Sequence, residues 1–297
     1  MNLTGKAVVV PTVTPFTADG ELDEPKVRQL VNHLIDKGVH ALFPGGSTGE
    51  GWALTREERK RLFEITVEEA RGRVSVWGGT GALTTRESIY LTRMAEEVGC
   101  DGAVLITPFY ITPNGDELYE HYAAIARAVK IPIFPYNNPA RASGVNIPAD
   151  TVARLSDIDN VGGIKDSAGN ISLTRQYIEV SRPDFAVYQG QDGMFFPGFC
   201  VGCTGVVALT ANLAPDLVLE VWKAFTAGDM ARAIKAQDKL SILRRTSRLG
   251  TYPAVIKESM AMIGMPMGPT RGPVMPLSEQ NRVILRKELQ AAGVLPA

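Results

Sequence analysis

The stretch Val161-Gly-Gly-Ile-Lys-Asp-Ser-Ala-Gly-Asn170 is an apolar, glycine-rich run that ends in a lysine and an acid and then enters a turn. Its first half is too apolar to alternate between a buried and an exposed face, which is typical of a strand in a parallel sheet covered on both faces. Lysine is rarely buried without a partner. Lys165, at the end of this run, is therefore either solvated or in chemical use.

Seven further runs have the same apolar character and complete a set of eight predicted strands. The eight runs are 7–13, 41–43, 74–77, 102–107, 131–136, 161–165, 185–189 and 205–209. Helical patterns lie between them: residues 22–37 carry apolar side chains at three- and four-residue spacing, and Thr55-Arg-Glu-Glu58 and Thr84-Thr-Arg-Glu87 have capping-box signatures. A strand followed by a helix, repeated about eight times, predicts an α/β fold of the (β/α)8 TIM barrel type.

The pattern changes after Asn212, where no further strand is predicted and helical stretches dominate. These stretches are 215–227, 230–245, 252–263 and 278–292. We interpret the first as the last barrel helix, so the predicted domains are a barrel over residues 1–228 and a C-terminal helical extension over 229–297. Lys257 and Arg271, in this extension, are predicted to be surface charges.

The composition excludes several classes of protein. Of the 297 residues, 45% are hydrophobic and 21% charged, which is ordinary for a globular protein, and no apolar run reaches the roughly 18 residues of a membrane helix. A net charge of -1 provides no field suited to nucleic acid. Three cysteines and a first segment without a secretory pattern predict a cytoplasmic protein with neither a membrane nor a nucleic-acid partner.

Polar residues follow all eight predicted strands. In a TIM barrel the C-terminal ends of the strands share one face, where active sites lie, so these residues are expected to converge. The segments are 12–16, 44–50, 78–81, 107–110, 136–141, 165–167, 190–192 and 210–212. His33, His40 and His121 fall in or beside helical segments, and no cluster has metal-ligand spacing, so neither a metal nor another cofactor is expected.

A lysine at a barrel strand end has a specific chemical use. Desolvation lowers the pKa of lysine from about 10.4 by up to about 3 to 5 units, and the neutral amine then attacks a ketone to give a Schiff base. The carbon next to that Schiff base becomes acidic, which allows an enamine to form. Tyr136, on the neighbouring strand, carries a hydroxyl that can move the protons. From spacing alone, a solvated or ion-paired Lys165 remains the alternative.

The turn Pro44-Gly-Gly-Ser-Thr-Gly-Glu50 invites comparison with nucleotide-binding loops. It lacks the GxxxxGK[ST] motif and the dinucleotide-binding fingerprint. A glycine-rich turn of this kind can instead bind a small carboxylate through backbone N–H groups and the hydroxyls of Ser47 and Thr48.

Six motifs in chain order resemble the dihydrodipicolinate synthase and N-acetylneuraminate lyase family of class I, Schiff-base-forming aldolases. The motifs are Gly45-Gly-Ser-Thr-Gly-Glu50, Gly79-Thr-Gly81, Thr107-Pro-Phe-Tyr110, Tyr136-Asn-Asn-Pro139, Gly163-Ile-Lys-Asp166 and Gly205-Val-Val-Ala-Leu-Thr-Ala-Asn212. The likeness runs from about residue 4 to the C-terminal helices. It implies a lyase that forms or breaks a carbon–carbon or carbon–oxygen bond.

The resemblance implies catalytic roles for four residues. Lys165 would form the Schiff base with pyruvate or with the 2-oxo group of a longer acid, and Tyr136 would be the general acid and base. Tyr110 would extend a proton relay, which in family members often crosses a subunit contact, and Thr48 completes the catalytic set. The family is usually tetrameric, which implies a homo-oligomer built as a dimer of dimers.

The resemblance also implies which residues bind the substrates. Ser47 and Thr48 would hold the carboxylate of the oxo acid, and Gly190 and Val207 would line the pocket. Arg141 is similar to the arginine that, in dihydrodipicolinate synthases, receives the carboxylate of the second substrate.

The motifs leave the reaction open. Arg141 favours a synthase that condenses pyruvate with an aldehyde such as aspartate semialdehyde. Ser47 and the pair Asp166-Ser167 are similar to lyases and catabolic members, which implies the alternative of a catabolic aldolase, dehydratase or deaminase of a 2-oxo acid. A non-catalytic barrel that binds an oxo acid is a further alternative.

The resemblance bears on regulation as well. At positions resembling the lysine-feedback site, the chain has Arg56, Leu83 and Phe109 where regulated synthases often have His, Asn and Tyr. We therefore expect no inhibition by lysine.

Overall fold

The computed structural model describes residues 8–296, and within them eight parallel strands close into a barrel in chain order. β8 pairs with β1, with Val206 opposite Val8 and Val207 opposite Val9. The strands are β1 (Val8–Val10), β2 (Ala41–Leu42), β3 (Ser75–Gly79), β4 (Gly102–Ile106), β5 (Ile133–Asn137), β6 (Gly163–Asp166), β7 (Ala186–Gln189) and β8 (Gly205–Val207). The predicted (β/α)8 TIM barrel is confirmed; the first seven residues of the predicted barrel domain, including Ala7 of its first strand, lie outside the described residues, as does residue 297.

A helix follows each strand, and three more complete the C-terminal extension. The barrel helices are α1 (Glu24–Asp36), α2 (Arg56–Ala70), α3 (Thr85–Glu97), α4 (Gly115–Ala128), α5 (Ala149–Ser156), α6 (Ile171–Val180), α7 (Phe195–Cys200) and α8 (Pro215–Thr226). The extension contains α9 (Met230–Arg245), α10 (Ala254–Met262) and α11 (Glu279–Ala291). Among residues 8–296, no helix combines the length and the apolarity needed to cross a membrane.

The predicted capping box forms in full at the start of α2, but only its first half forms at the start of α3. At the start of α2 the Thr55 hydroxyl accepts from the Glu58 N–H at 3.2 Å, and the Glu58 carboxylate accepts from the Thr55 N–H at 2.9 Å. At α3, Thr84 caps Glu87 N–H at 3.2 Å, whereas the Glu87 carboxylate pairs with Arg56 instead. Such caps contribute about 1 kcal/mol each and fix where the βα loops end.

Aromatic side chains from several strands pack together in the barrel. The Trp77 and Phe134 rings stack with their centres 4.4 Å apart, and Tyr188 meets Trp77 edge-on at 5.5 Å. Phe43 and Tyr136 belong to the same buried cluster. The barrel is therefore a filled core rather than a pore, and its open space lies at the C-terminal ends of the strands.

The C-terminal extension shares the main hydrophobic core with the barrel. Leu240 of α9 and Leu285 of α11 are fully buried in the cluster that contains Val8 of β1. Gln237 of α9 donates to the Asp192 carbonyl at 2.9 Å and accepts from the Phe196 N–H at 2.8 Å. The division of the chain at residue 228 stays a prediction.

Candidate active site

Lys165 and Tyr136 lie side by side because they are register partners in the parallel pair β5–β6. Lys165 is 6% exposed, and its amino nitrogen lies 3.7 Å from the centre of the Tyr136 ring and 5.2 Å from that of Phe43. Burial lowers the pKa of Lys165. The neutral, nucleophilic amine therefore forms at lower pH than it does in free lysine.

Tyr136 is placed to exchange protons with groups bound at Lys165. Its hydroxyl accepts from Asn138 Nδ2 at 2.7 Å. Burial by itself would raise the pKa of this phenol, but the charge of Lys165 and the hydrogen bonds to the hydroxyl outweigh burial, so the pKa of Tyr136 is lowered. A phenol that gives up its proton more easily than usual, beside an amine, is suited to general acid–base catalysis.

A cavity of about 180 Å³ lies over Lys165 and brings together most of the predicted site residues. Its lining includes Ser47, Thr48, Tyr136, Arg141, Lys165, Gly190 and Val207. Tyr110 is the exception: its side chain is 88% exposed and its backbone is left-handed, with φ of 72°. The predicted residues therefore bring a lysine, a phenol, two hydroxyls and a guanidinium to one small space.

Gly190 provides the room that this space needs. A Cβ at this position would collide with the Ser167 hydroxyl and lie 3.0 Å from Lys165 Cε. The Gly190 N–H donates to the Asp166 carbonyl at 2.7 Å, which holds the backbone this close. A side chain here would displace the nucleophile.

The sequence reasoning missed the residues that the C-terminal extension adds to the cavity. The Tyr252 hydroxyl is hydrogen-bonded to the Thr48 hydroxyl, and the Arg141 guanidinium lies 4.7 Å from the centre of the Tyr252 ring. Arg244, at the end of α9, also lines the cavity and donates two hydrogen bonds to Gln191 Oε1, at 3.2 and 3.1 Å. No strand-end rule could find them, because they do not follow a strand.

The prediction that Lys257 and Arg271 are surface charges is wrong. Lys257 is 4% exposed; its Nζ lies 2.6 Å from Glu50 Oε1 and donates to the Pro269 carbonyl at 2.7 Å. The Arg271 side chain is only 19% exposed; its guanidinium pairs with the Glu58 carboxylate and donates to the carbonyls of Gly20 and Ala53. The backbone N–H of Arg271 donates to Glu50 Oε2 at 2.8 Å. Glu50 lies more than 200 residues before both of them, and local patterns carry no signal at that range.

Glu50, Lys257 and Arg271, which we call the loop clamp, fix the turn that carries Ser47 and Thr48. Glu50 is fully buried and ends this turn in a left-handed conformation, with φ of 53°. Both of its carboxylate oxygens are held by the C-terminal extension. The extension therefore positions the turn whose Ser47 and Thr48 line the Lys165 cavity.

A second cavity, of about 530 Å³, lies on the other side of the glycine-rich turn and has Trp52, Leu83 and Phe109 in its lining. At its inner end the buried Arg59 guanidinium donates to the carbonyls of Gly45, Gly51 and Gly79. The hydrogen-bond donors of Arg59 are therefore used by the protein's own backbone. Leu83 and Phe109 make the nearby wall of this cavity largely apolar.

Metal ligation has no candidate in the described part of the chain. Among residues 8–296, the His, Cys, Asp and Glu side chains form no group of three or more that could hold a metal ion.

Comparison with known proteins places this geometry in a family. The model of the dihydrodipicolinate synthetase family matches residues 4–292. The chain is 40% identical to the 4-hydroxy-tetrahydrodipicolinate synthase of Nitratidesulfovibrio vulgaris (strain DP4), over 99% of this chain and 100% of that protein. It is similar to a dihydrodipicolinate synthase structure from Bacillus anthracis, with a TM-score of 0.95, 37% identity and 100% of each chain covered.

A second solved structure, the dihydrodipicolinate synthase of Acinetobacter baumannii complexed with pyruvate, has a TM-score of 0.94 and 35% identity, and the match covers 98% of this chain and 100% of that one. Whole-chain matches at these identities, together with the six motifs at the strand ends, establish the relationship. The chain therefore belongs to the dihydrodipicolinate synthetase family.

Proposed function

We propose that the protein is a 4-hydroxy-tetrahydrodipicolinate synthase that joins pyruvate to aspartate semialdehyde through a Schiff base on Lys165. The observation that carries this proposal is the buried Lys165, with its lowered pKa, in register with Tyr136 beneath a cavity that also contains Arg141. The relative from Nitratidesulfovibrio vulgaris bears this name, and the Acinetobacter baumannii enzyme binds pyruvate, which supports the same chemistry here.

The reaction follows from these groups. The neutral amine of Lys165 adds to the ketone carbon of pyruvate, and loss of water with a proton from Tyr136 leaves a protonated Schiff base. Tyr136, now a phenolate, removes a proton from the methyl carbon to form an enamine. The enamine attacks the aldehyde carbon, and Tyr136 returns the proton to the new alkoxide. The Tyr136 phenolate then takes a proton from the product's own ammonium group. The amine so formed attacks the Schiff-base carbon, which releases Lys165 as a neutral amine and closes a ring that contains the protonated C=N bond.

The hydroxyls of Ser47 and Thr48 hold the pyruvate carboxylate in this proposal, and Arg141 holds the carboxylate of the semialdehyde. Arg141 stacks on the Tyr252 ring, which orients its planar guanidinium at the cavity wall. A fork of this shape binds a carboxylate through two parallel hydrogen bonds.

The position of Asp166 removes one of the three signals that favoured the catabolic alternative. Its carboxylate accepts from Asn137 Nδ2 and the Ala168 N–H, both at 3.0 Å, and from the Thr174 hydroxyl at 2.6 Å. These hydrogen bonds occupy the Asp166 carboxylate. Asp166, which departs from the synthase pattern, therefore supports the packing behind the cavity. Of the catabolic signals, Ser47 and Ser167 reach the substrate space.

The test is to reduce the protein with borohydride in the presence of pyruvate, measure its intact mass, and assay turnover in both directions. A covalent adduct together with consumption of aspartate semialdehyde supports the synthase. An adduct accompanied instead by pyruvate release from 2-oxo-3-deoxy acids supports the catabolic alternative. An unmodified mass contradicts both, and oxo-acid binding by calorimetry without turnover then leaves the non-catalytic barrel.

Replacing Arg141 with alanine is expected to raise the KM for aspartate semialdehyde by about 10- to 100-fold. This rise corresponds to the loss of hydrogen bonds to a charged group, which contribute about 1.5–3 kcal/mol. Borohydride trapping of pyruvate should persist, because Lys165 is unchanged. Arg141→Lys is the matched variant: it keeps the charge but not the fork, so an intermediate KM is expected. Equal losses for both substrates would contradict the assignment.

Lysine is expected not to inhibit the protein at millimolar concentration. The second cavity presents apolar Leu83 and Phe109. Its Arg59 is bonded to backbone carbonyls and its Glu87 is paired with Arg56, so the charged groups of lysine find few free partners. Initial rates across a lysine titration measure this. Thermal unfolding is the independent check: pyruvate should raise the Tm and lysine should leave it unchanged. A saturable inhibition curve would show the expectation to be wrong.

We propose that the protein works in the cytoplasm as a homotetramer. Its three cysteines are unpaired, as is usual in a reducing compartment. Large apolar side chains near the second cavity are exposed in the isolated chain, including Trp52 at 48%, Leu83 at 41% and Ile111 at 50%. Such a surface is suited to a subunit contact. Light scattering at assay concentration measures the mass, and a monomer would contradict the tetramer.

A further inference from the structure

One residue of the C-terminal extension contacts groups that serve both substrates in the proposed reaction. Tyr252, between α9 and α10, is hydrogen-bonded through its hydroxyl to the Thr48 hydroxyl, and the centre of its ring lies 4.7 Å from the Arg141 guanidinium. All three residues line the Lys165 cavity. Thr48 follows β2 and Arg141 follows β5, which are not neighbours in the barrel, so Tyr252 joins two separate strand ends.

The chemistry of a carboxylate sets the direction of the hydrogen bond between Thr48 and Tyr252. A carboxylate only accepts hydrogen bonds, so Thr48 must give the pyruvate carboxylate the single hydrogen of its hydroxyl. The Thr48 oxygen then accepts from the Tyr252 hydroxyl. Burial raises the pKa of the Tyr252 phenol, so this donor keeps its proton in the neutral range. With Tyr252 in place, the Thr48 hydroxyl therefore presents its hydrogen to the substrate.

The Tyr252 ring has a different partner. Arg141 is exposed, and an arginine side chain has several rotatable bonds, so its guanidinium can take many orientations in the open part of the cavity. Contact with the face of an aromatic ring stabilises one of these orientations. This contact needs the ring and not the hydroxyl, so the two contacts of Tyr252 can be separated by substitution.

We propose that Tyr252 is a positioning residue for both substrates: its hydroxyl directs the Thr48 hydrogen at the pyruvate carboxylate, and its ring holds Arg141 in the orientation that receives the second carboxylate. The proposal rests on the function proposed above. Tyr252 acts through Thr48 and Arg141 and not on the reacting carbons. The extension therefore sets the affinity for both substrates, while the strand ends provide the groups that make and break bonds.

Two substitutions separate the two contacts. Tyr252→Phe removes the hydroxyl and keeps the ring, so the KM for pyruvate should rise about 3- to 10-fold and the KM for aspartate semialdehyde should stay within about twofold. Tyr252→Leu also removes the ring, so the KM for aspartate semialdehyde should rise as well, by about 3- to 10-fold. Initial rates over both substrate concentrations give the two values. In both variants kcat should stay within about threefold, because Lys165 and Tyr136 are unchanged.

Double variants test whether these two contacts carry the effects. In a Thr48→Val background, Tyr252→Phe should raise the KM for pyruvate no further, because the hydrogen bond is already lost. In an Arg141→Ala background, Tyr252→Leu should raise the KM for aspartate semialdehyde no further. Tyr90→Leu is the matched control: the Arg56 guanidinium lies 4.4 Å from the centre of the Tyr90 ring, away from the cavity lining, so both KM values should match wild type.

Borohydride trapping with pyruvate alone makes half of the test independent of the second substrate. Tyr252→Phe should need about 3- to 10-fold more pyruvate than wild type for half-maximal trapping and should reach the same final extent. An unchanged dependence on pyruvate, an equal rise of both KM values in Tyr252→Phe, or full additivity in either double variant overturns the role of Tyr252 and leaves the Schiff base standing. An unmodified wild-type protein overturns the proposed function and this role with it.

Discussion

Lys165→Ala abolishes turnover, with an expected loss in kcat on the order of 10⁴- to 10⁶-fold, the range seen when a covalent nucleophile is removed. The reason is that, among residues 8–296, Lys165 is the only lysine in the lining of the cavity and so the only one placed to form the Schiff base with pyruvate. Intact mass after borohydride treatment measures the chemical step directly: the wild type gains the pyruvate-derived adduct and the variant does not.

The fold of this variant should be intact. Lys165 is buried and its pKa is lowered, so the folded state disfavours the charged amine, and removing that amine removes this cost. The Tm is therefore expected to be unchanged or higher near neutral pH. Lys165→Arg is the matched control, because it keeps a cation that cannot act as a nucleophile. Turnover by Lys165→Arg would exclude the Schiff base.

The second large effect is expected at the loop clamp. Lys257→Met leaves the fully buried carboxylate of Glu50 without its counter-charge, and breaking one side of a buried ion pair costs about 3–5 kcal/mol. Because Glu50 ends the turn of Ser47 and Thr48, the KM for pyruvate should rise as well. Urea unfolding measures the free energy of unfolding, and steady-state kinetics measure the KM.

The chain contains its own control for this prediction. Lys37 and Asp216 also approach to 2.6 Å, but their side chains are 38% and 70% exposed. Lys37→Met should therefore cost less than about 1 kcal/mol and leave the KM unchanged. The double variant Glu50→Gln with Lys257→Met should recover much of the lost stability, since no charge is then buried alone. Equal costs for Lys257→Met and Lys37→Met would show that burial of the pair is irrelevant.

The barrel and the centre of the site could be predicted because their signals are local. Each strand is a short apolar run, and consecutive strands of a parallel barrel are neighbours, so Tyr136 and Lys165 at the ends of successive strands had to meet. The same logic placed Arg141 in the cavity, on the loop that follows the strand of Tyr136.

The remainder depends on contacts between distant parts of the chain. Lys257 looked like any charge in a helical stretch, and nothing near it in sequence indicated Glu50 as its partner. Tyr252 carried no motif, and its contacts with Thr48 and Arg141 depend on where the extension passes the cavity. Tyr110 is the reverse case: its motif could be recognised in the sequence, but within one chain its side chain is exposed and lies away from the cavity.

The pairing of β8 with β1 has a consequence for synthesis on the ribosome. Val8 pairs with Val206, so one edge of β1 stays uncovered until nearly 200 further residues have been synthesised. At typical translation rates this takes about 10 to 40 s. During that interval the nascent chain presents an apolar strand edge, which is prone to aggregate. Lys257, the ion-pair partner of Glu50, is synthesised later still. The turn of Ser47 and Thr48, which Glu50 ends, is therefore fixed only when synthesis is almost complete.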